Sequence, residues 1–135
     1  MAIQYSARRG SLADVWERPI VALEVVAWAK AFAFTELVEA PIYRRFVPAS
    51  WRLALAASAI THPFVWFAFP RLGERFELGW TTTSILSEVF AVAVEAAFFQ
   101  RLAAVSWRRA ALVSLLANGA SVGLGLFVRR AFGIV

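Results

Sequence analysis

Five of the nine acidic residues in this 135-residue chain, Glu24, Glu36, Glu39, Glu88 and Glu95, fall inside long apolar stretches. The single histidine, His62, lies in another such stretch. A charged side chain at the middle of a bilayer costs roughly 2.5–3.5 kcal/mol on insertion scales, so such groups turn towards a protein interior, a wet cavity or a partner. Two chemistries fit them. Buried acids with an imidazole are the parts of a proton or ion pathway. The same groups also tie helices together by hydrogen bonds, each worth about 0.6 kcal/mol.

The elements that position them must be helices with polar seams. At 100° per residue, Glu24, Thr35 and Glu39 share one side, with Glu36 further round. Thr81, Ser84, Glu88 and Glu95 form one stripe, and Ser114, Asn118, Ser121 and Gly125 another; Ser58 and His62 share a face. Glu39 and Ser58 stand equally far from the tight turn at 44–50, as do Glu36 and His62. Glu39 is therefore expected level with Ser58, Glu36 with His62, and Glu95 with Ser114. The first and last are expected hydrogen-bonded pairs, and Glu36–His62 an expected buried acid–imidazole pair.

Catalytic constellations are missing from the sequence. There is no cysteine, hence no thiol nucleophile and no zinc knuckle. One histidine cannot make a His-rich metal centre, and there is no Glu-x-x-His, phosphate loop or nucleophile elbow. We expect no enzyme, no metal and no cofactor. A haem or chlorin on His62, shared across a dimer, is the outlying alternative.

Composition decides the solvent. Hydrophobic residues make up 61% of the chain and charged residues 17%, with a mean hydropathy of +0.65. Soluble domains carry roughly 25% charged residues, and a small domain buries the least surface. An ordinary cytosolic enzyme and a disordered tail are excluded. The pI near 11 does not signal nucleic acid, because the arginines sit in short groups at the ends of apolar segments, where charges flanking membrane helices belong.

Four segments are long enough to cross about 30 Å of hydrocarbon: Ile20 to Phe46, Trp51 to Phe69, Trp80 to Leu102 and Trp107 to Phe132. Trp51, Trp80 and Trp107 open three of them, as interfacial aromatics do. Connectors are expected at Arg44 to Ser50, Pro70 to Gly79 and Ala103 to Ser106. Residues 1–19 read as an interfacial tail or short helix, with a capping-box shape at Ser11–Asp14 and Trp16 as anchor. Glu24 and Lys30 interrupt the first apolar run, so residues 1–40 read as mature protein and not as a secretory signal.

The chain repeats itself. Shifted by 56 residues, ten of the 25 positions from Phe34 to Ser58 are identical, among them Glu39/Glu95, Trp51/Trp107, Arg52/Arg108 and Ser58/Ser114. Tyr43/Phe99 and His62/Asn118 are near matches. The expectation is an all-α integral membrane four-helix bundle of two tandem helical hairpins, about 20–70 and 80–132, within a domain 20–135. Such a repeat is parallel, its pseudo-two-fold axis along the membrane normal.

Pro41 and Pro63 fall inside spans and free the carbonyls of Leu37 and Ala59. Gly119 and Gly123 form a small-xxx-small face for close helix approach, within the chain or to another copy. Lys30 lies on the far side of its helix from Glu24 and Glu39, which suggests a partner contact. Seven arginines on one side against six on the other leave orientation open.

Glu-Ala-Pro-Ile-Tyr (39–43), Thr-His-Pro-Phe-Val-Trp (61–66), Glu-Ala-Ala-Phe-Phe (95–99) and Leu-Leu-Ala-Asn-Gly-Ala-Ser (115–121) together resemble a group of small bacterial four-helix membrane proteins without an assigned activity. The resemblance spans residues 36–126 and implies a fold and no chemistry. Two functions lead: an accessory or structural subunit of a larger membrane assembly in the bacterial inner membrane, or a small homo-oligomeric proton- or ion-coupled transporter or channel using Glu36, Glu39, His62, Glu88, Glu95 and Asn118; a lipid- or cofactor-binding role stands third.

Overall fold

The computed structural model describes residues 19–133. The expected interfacial helix over 1–19 lies outside them except for Pro19. The described residues form four helices and no strand: α1 Pro19–Phe46, α2 Trp51–Arg75, α3 Trp80–Leu102 and α4 Trp107–Phe132. The three tryptophans read as interfacial are the first residues of α2, α3 and α4, and each is more than half exposed.

Helix ends follow local chemistry. Ser50 and Ser106 stand extended before α2 and α4, and their hydroxyls accept from Leu53 N at 3.2 Å and Arg109 N at 3.4 Å. Each cap satisfies one of the first-turn N–H groups that lack a helical partner. α4 stops at Gly133, whose φ of 62° is left-handed and whose N–H returns to Arg129 O. Glycine adopts that conformation without steric cost. At the end of α1, the Arg44 guanidinium donates to Ala49 O, and Arg109 Nε donates to Phe46 O at 2.9 Å. The arginines thus take up carbonyls at and just beyond the helix C-terminus, where cations are favoured.

One boundary differs from the sequence reading. The connector expected from Pro70 onward is helical as far as Arg75, leaving only Phe76–Gly79 between α2 and α3. The reason is a widened turn. After Pro63 the helix runs as a π-turn over Phe64–Ala68, closed by Phe69 N–H on Phe64 O, and α-geometry resumes at Phe69. Pro70 then stands in the first turn of the resumed segment, where its missing N–H is tolerated. Beyond it Gly73 is buried against α3: a Cβ there would lie 2.4 Å from Thr83 Oγ1.

The chain divides into two compact units, 1–31 and 32–135. In the first, residues 22–30 of α1 are exposed apart from the half-buried Trp28. The second unit holds the remainder of α1 and the other three helices. Its core is built largely from small residues, Ala40, Ala49, Ala54, Ala57, Ala96, Ala110 and Ala117, around two fully buried rings, Tyr43 and Phe99. These rings pack on one another with centroids 4.6 Å apart.

Three helices, α2, α3 and α4, are long and apolar enough to cross a membrane. α1 is longer, but every 18-residue stretch of it carries three or more charged residues, so apolarity singles out three spans and not the expected four. The outward faces are apolar: Leu37, Leu112 and Phe127 are 76%, 65% and 63% exposed.

Hydrogen bonds and burial recur at the 56-residue spacing. Val47 N to Tyr43 O is matched by Ala103 N to Phe99 O, and Ala54 N to Ser50 O by Ala110 N to Ser106 O. The buried residues Ala40, Tyr43, Ala49, Ala54 and Ala57 correspond to the buried Ala96, Phe99, Val105, Ala110 and Val113.

Candidate functional site

Two carboxylates lie at the junction of the four helices. Glu39 on α1 and Glu95 on α3 are each 1% exposed. Each is seven residues from its helix end, or about 10 Å along the axis at 1.5 Å per residue. The two carboxylates therefore lie on the side of the helix midpoints that faces the turns at 47–50 and 103–106.

Ser58 donates to Glu39 Oε2 at 2.5 Å, and Ser114 donates to Glu95 Oε2 at 3.0 Å. These are the two pairs expected from counting outward from the tight turns, and both join residues 19 positions apart. Each carboxylate also takes a hydroxyl from the other pair of helices. Ser121 of α4 donates to Glu39 Oε1 at 2.6 Å, and Thr61 of α2 donates to Glu95 Oε1 at 2.8 Å.

Glu95 is the more heavily bound. The Tyr43 hydroxyl of α1 reaches Oε2 at 2.5 Å, and Asn118 Nδ2 reaches the same oxygen at 2.6 Å. Asn118 Nδ2 also lies 3.3 Å from the Tyr43 hydroxyl and 3.0 Å from Ser114 O. Glu95 thus accepts from α1, α2 and α4, and Glu39 from α2 and α4. All six side chains donating to the two carboxylates are neutral. Buried acids need their lone pairs occupied, and these hydrogen bonds occupy them.

The remaining expected residues are placed differently. His62 is half-buried, with its ring 5.2 Å from that of Phe32 and stacked at 6.3 Å on Trp66. The Glu36 carboxylate oxygens are buried and accept no hydrogen bond, so the expected Glu36–His62 pair does not form. Equal distance from a turn matches the height of two residues but not their direction round the helix, and His62 is turned among aromatic rings. Glu88 is half-buried on α3. Glu24 and Lys30, in the first unit, are exposed. Gly119 and Gly123 are exposed, and a Cβ on either would meet nothing within 4 Å. The within-chain close approach expected of them is made at Gly73 instead.

Tyr43 and Thr61 were outside the expected polar stripes, and Ser121 was in the α4 stripe without an assigned partner, yet each carried a helical signal. Tyr43 is four residues after Glu39, Thr61 three after Ser58 and Ser121 three after Asn118, which are the spacings of one helix face. Among the described residues, no three His, Asp or Glu side chains gather in a way that could hold a metal ion.

Comparison with protein-family models, with curated proteins and with solved structures finds no match. The arrangement itself must therefore carry the functional reading. Chemically it is a sealed polar layer. It brings two carboxyl groups, five hydroxyls and one amide together inside an apolar shell, with every helix contributing.

Proposed function

We propose that this chain is a multi-pass protein of the bacterial inner membrane, built as two tandem copies of one helical hairpin, and that it serves as a non-catalytic structural or accessory subunit of a larger membrane assembly. The observation that carries this reading is that every carboxylate oxygen of Glu39 and Glu95 accepts from a neutral side chain of a neighbouring helix. These bonds join the helices to one another, which is the use membrane helices make of buried polar groups. Support for the tandem hairpins comes from the recurrence at 56 residues of the Glu–Ser bond, the serine cap and the buried positions.

Membrane residence is supported by three apolar helices of sufficient length and by their apolar outward faces. In lipid, helices satisfy their own backbone groups and need no sheet partner. We take α1 as the fourth span, with Glu39 sheltered in the polar layer. Exposed Lys30 suits contact with a neighbouring subunit that supplies a counter-charge.

A second reading, a homo-oligomeric proton- or ion-coupled transporter, is favoured by Glu36, whose buried carboxylate oxygens accept no hydrogen bond. Purification from native membranes in mild detergent separates the two. Stoichiometric foreign subunits are expected on the first reading. A self-contained oligomer whose vesicles carry pH-driven flux, lost in Glu39→Gln plus Glu95→Gln, would overturn it in favour of the second.

A further inference from the structure

The two ends of the second unit differ in charge. Residues 42–54 and 98–113, which make the two hairpin turns and the helix ends beside them, contain six arginines and no acid. The opposite end, made by residues 70–79 and the end of α4, sets Arg71, Arg75, Arg129 and Arg130 against Glu74 and Glu77, a smaller positive excess. Of the six, Arg44 and Arg109 hold main-chain carbonyls of the first turn. Arg45, Arg52, Arg101 and Arg108 are exposed.

An open groove of about 460 Å³ lies at this end, lined by Phe46, Ser106, Arg108, Arg109, Leu112 and Val113. Its chemistry is divided. Phe46, Leu112 and Val113 give an apolar floor, while Arg108, Arg109 and the Ser106 hydroxyl give a cationic, hydrogen-bonding rim. Arg109 spends only its Nε on Phe46 O, and a guanidinium has five N–H donors. Trp51 and Trp107, exposed at the starts of α2 and α4, mark the level where aromatic belts meet headgroups.

We propose that this groove is a binding site for one anionic phospholipid, its phosphate held by Arg108 and Arg109 and its upper acyl chain laid against Phe46, Leu112 and Val113. The inference rests on the membrane reading above. Arginine forks match phosphate oxygens in pairs, and a lysine-poor, arginine-rich rim suits that bidentate geometry. The apolar floor distinguishes a lipid from a soluble phosphate, which has nothing to place there. The four remaining arginines add a diffuse attraction for the same anionic leaflet, each worth about a fivefold change in affinity near a membrane surface.

Native mass spectrometry of the full chain in mild detergent tests this, with phosphatidylglycerol and phosphatidylcholine of identical acyl chains as probes. The wild type should retain phosphatidylglycerol in preference, and Arg108→Gln should cut that retention about fivefold while Arg75→Gln, at the opposite end, leaves it unchanged. Arg108 makes no main-chain clip, so its loss is not expected to disturb folding. Equal retention of both lipids, or an equal loss in Arg75→Gln, would overturn the site. Displacement of the lipid by excess inorganic phosphate would overturn the lipid assignment in favour of a bare anion site. Reconstitution into pure phosphatidylcholine vesicles separates the failures. A chain that resists alkaline extraction there but shows no lipid preference sinks only this site, whereas a chain that never inserts sinks the membrane reading.

Discussion

Tyr43 and Phe99 are 56 residues apart in sequence and ring against ring in space, both fully buried, with centroids 4.6 Å apart. On the proposed tandem-hairpin reading, residues at matching places in the two hairpins touch each other only near the axis that would relate them. Only one of the pair carries a hydroxyl. Tyr43 donates to Glu95, and Phe99 has nothing to offer Glu39.

That difference is measurable. Tyr43→Phe should keep the ring packing and remove one donor from Glu95, lowering stability by about 1–2 kcal/mol, as for other lost buried hydrogen bonds. Thermal or denaturant unfolding in detergent reads the change. A variant as stable as wild type would show that the hydroxyl contributes no net energy.

Glu95 accepts from four side chains and Glu39 from two. Truncation of the first leaves more buried donors without an acceptor. Glu95→Ala should therefore be less stable than Glu39→Ala by about 1–2 kcal/mol, given roughly 1 kcal/mol or less per orphaned donor. Equal losses in the two variants would mean that neighbouring donors find new partners.

The glycines divide by surroundings. Gly73→Ala drives a methyl into Thr83, at 2.4 Å from Oγ1 and 2.9 Å from Cγ2. It should cost about 1–3 kcal/mol, as overpacking does, and Thr83→Ala should recover part of the loss. Gly119→Ala and Gly123→Ala meet no neighbour and should leave the monomer's melting temperature unchanged or slightly raised. Cross-linking yield in membranes then reports whether the α4 face also serves another copy.

His62 is packed on rings. His62→Phe puts a larger ring against Phe32 and Trp66 and should cost about 1–3 kcal/mol in detergent unfolding, as overpacking does. On the transport reading the same variant, still folded, would lose flux in reconstituted vesicles.

Much of this was legible in the sequence because it depends on spacing alone. Helix starts at Trp51, Trp80 and Trp107 were marked by interfacial residue types. The Glu39–Ser58 and Glu95–Ser114 bonds follow from counting outward from the turns, because residues equally far along antiparallel helices share a height. Direction round the axis is a different quantity. It depends on how each helix is rotated against three neighbours, and packing settles that. Hence His62 packs on Phe32 and Trp66 without hydrogen-bonding to Glu36, while Tyr43 and Thr61 entered the polar layer. The length of α2 was missed for a related reason. Pro70 reads as a stop, and only the π-turn before it makes the residue harmless.

That wide turn sets the screw phase of everything after it in α2. One added residue per π-turn advances the following side chains by about 100°. Gly73 meets Thr83 only because of that offset. Were one residue cut from Phe64–Ala68, the last two turns would roll by a quarter-revolution or more, and Leu72 or Glu74 would swing towards α3 in place of the one residue small enough to lie there. Alignments that close a one-residue gap in this stretch would then be comparing mismatched faces.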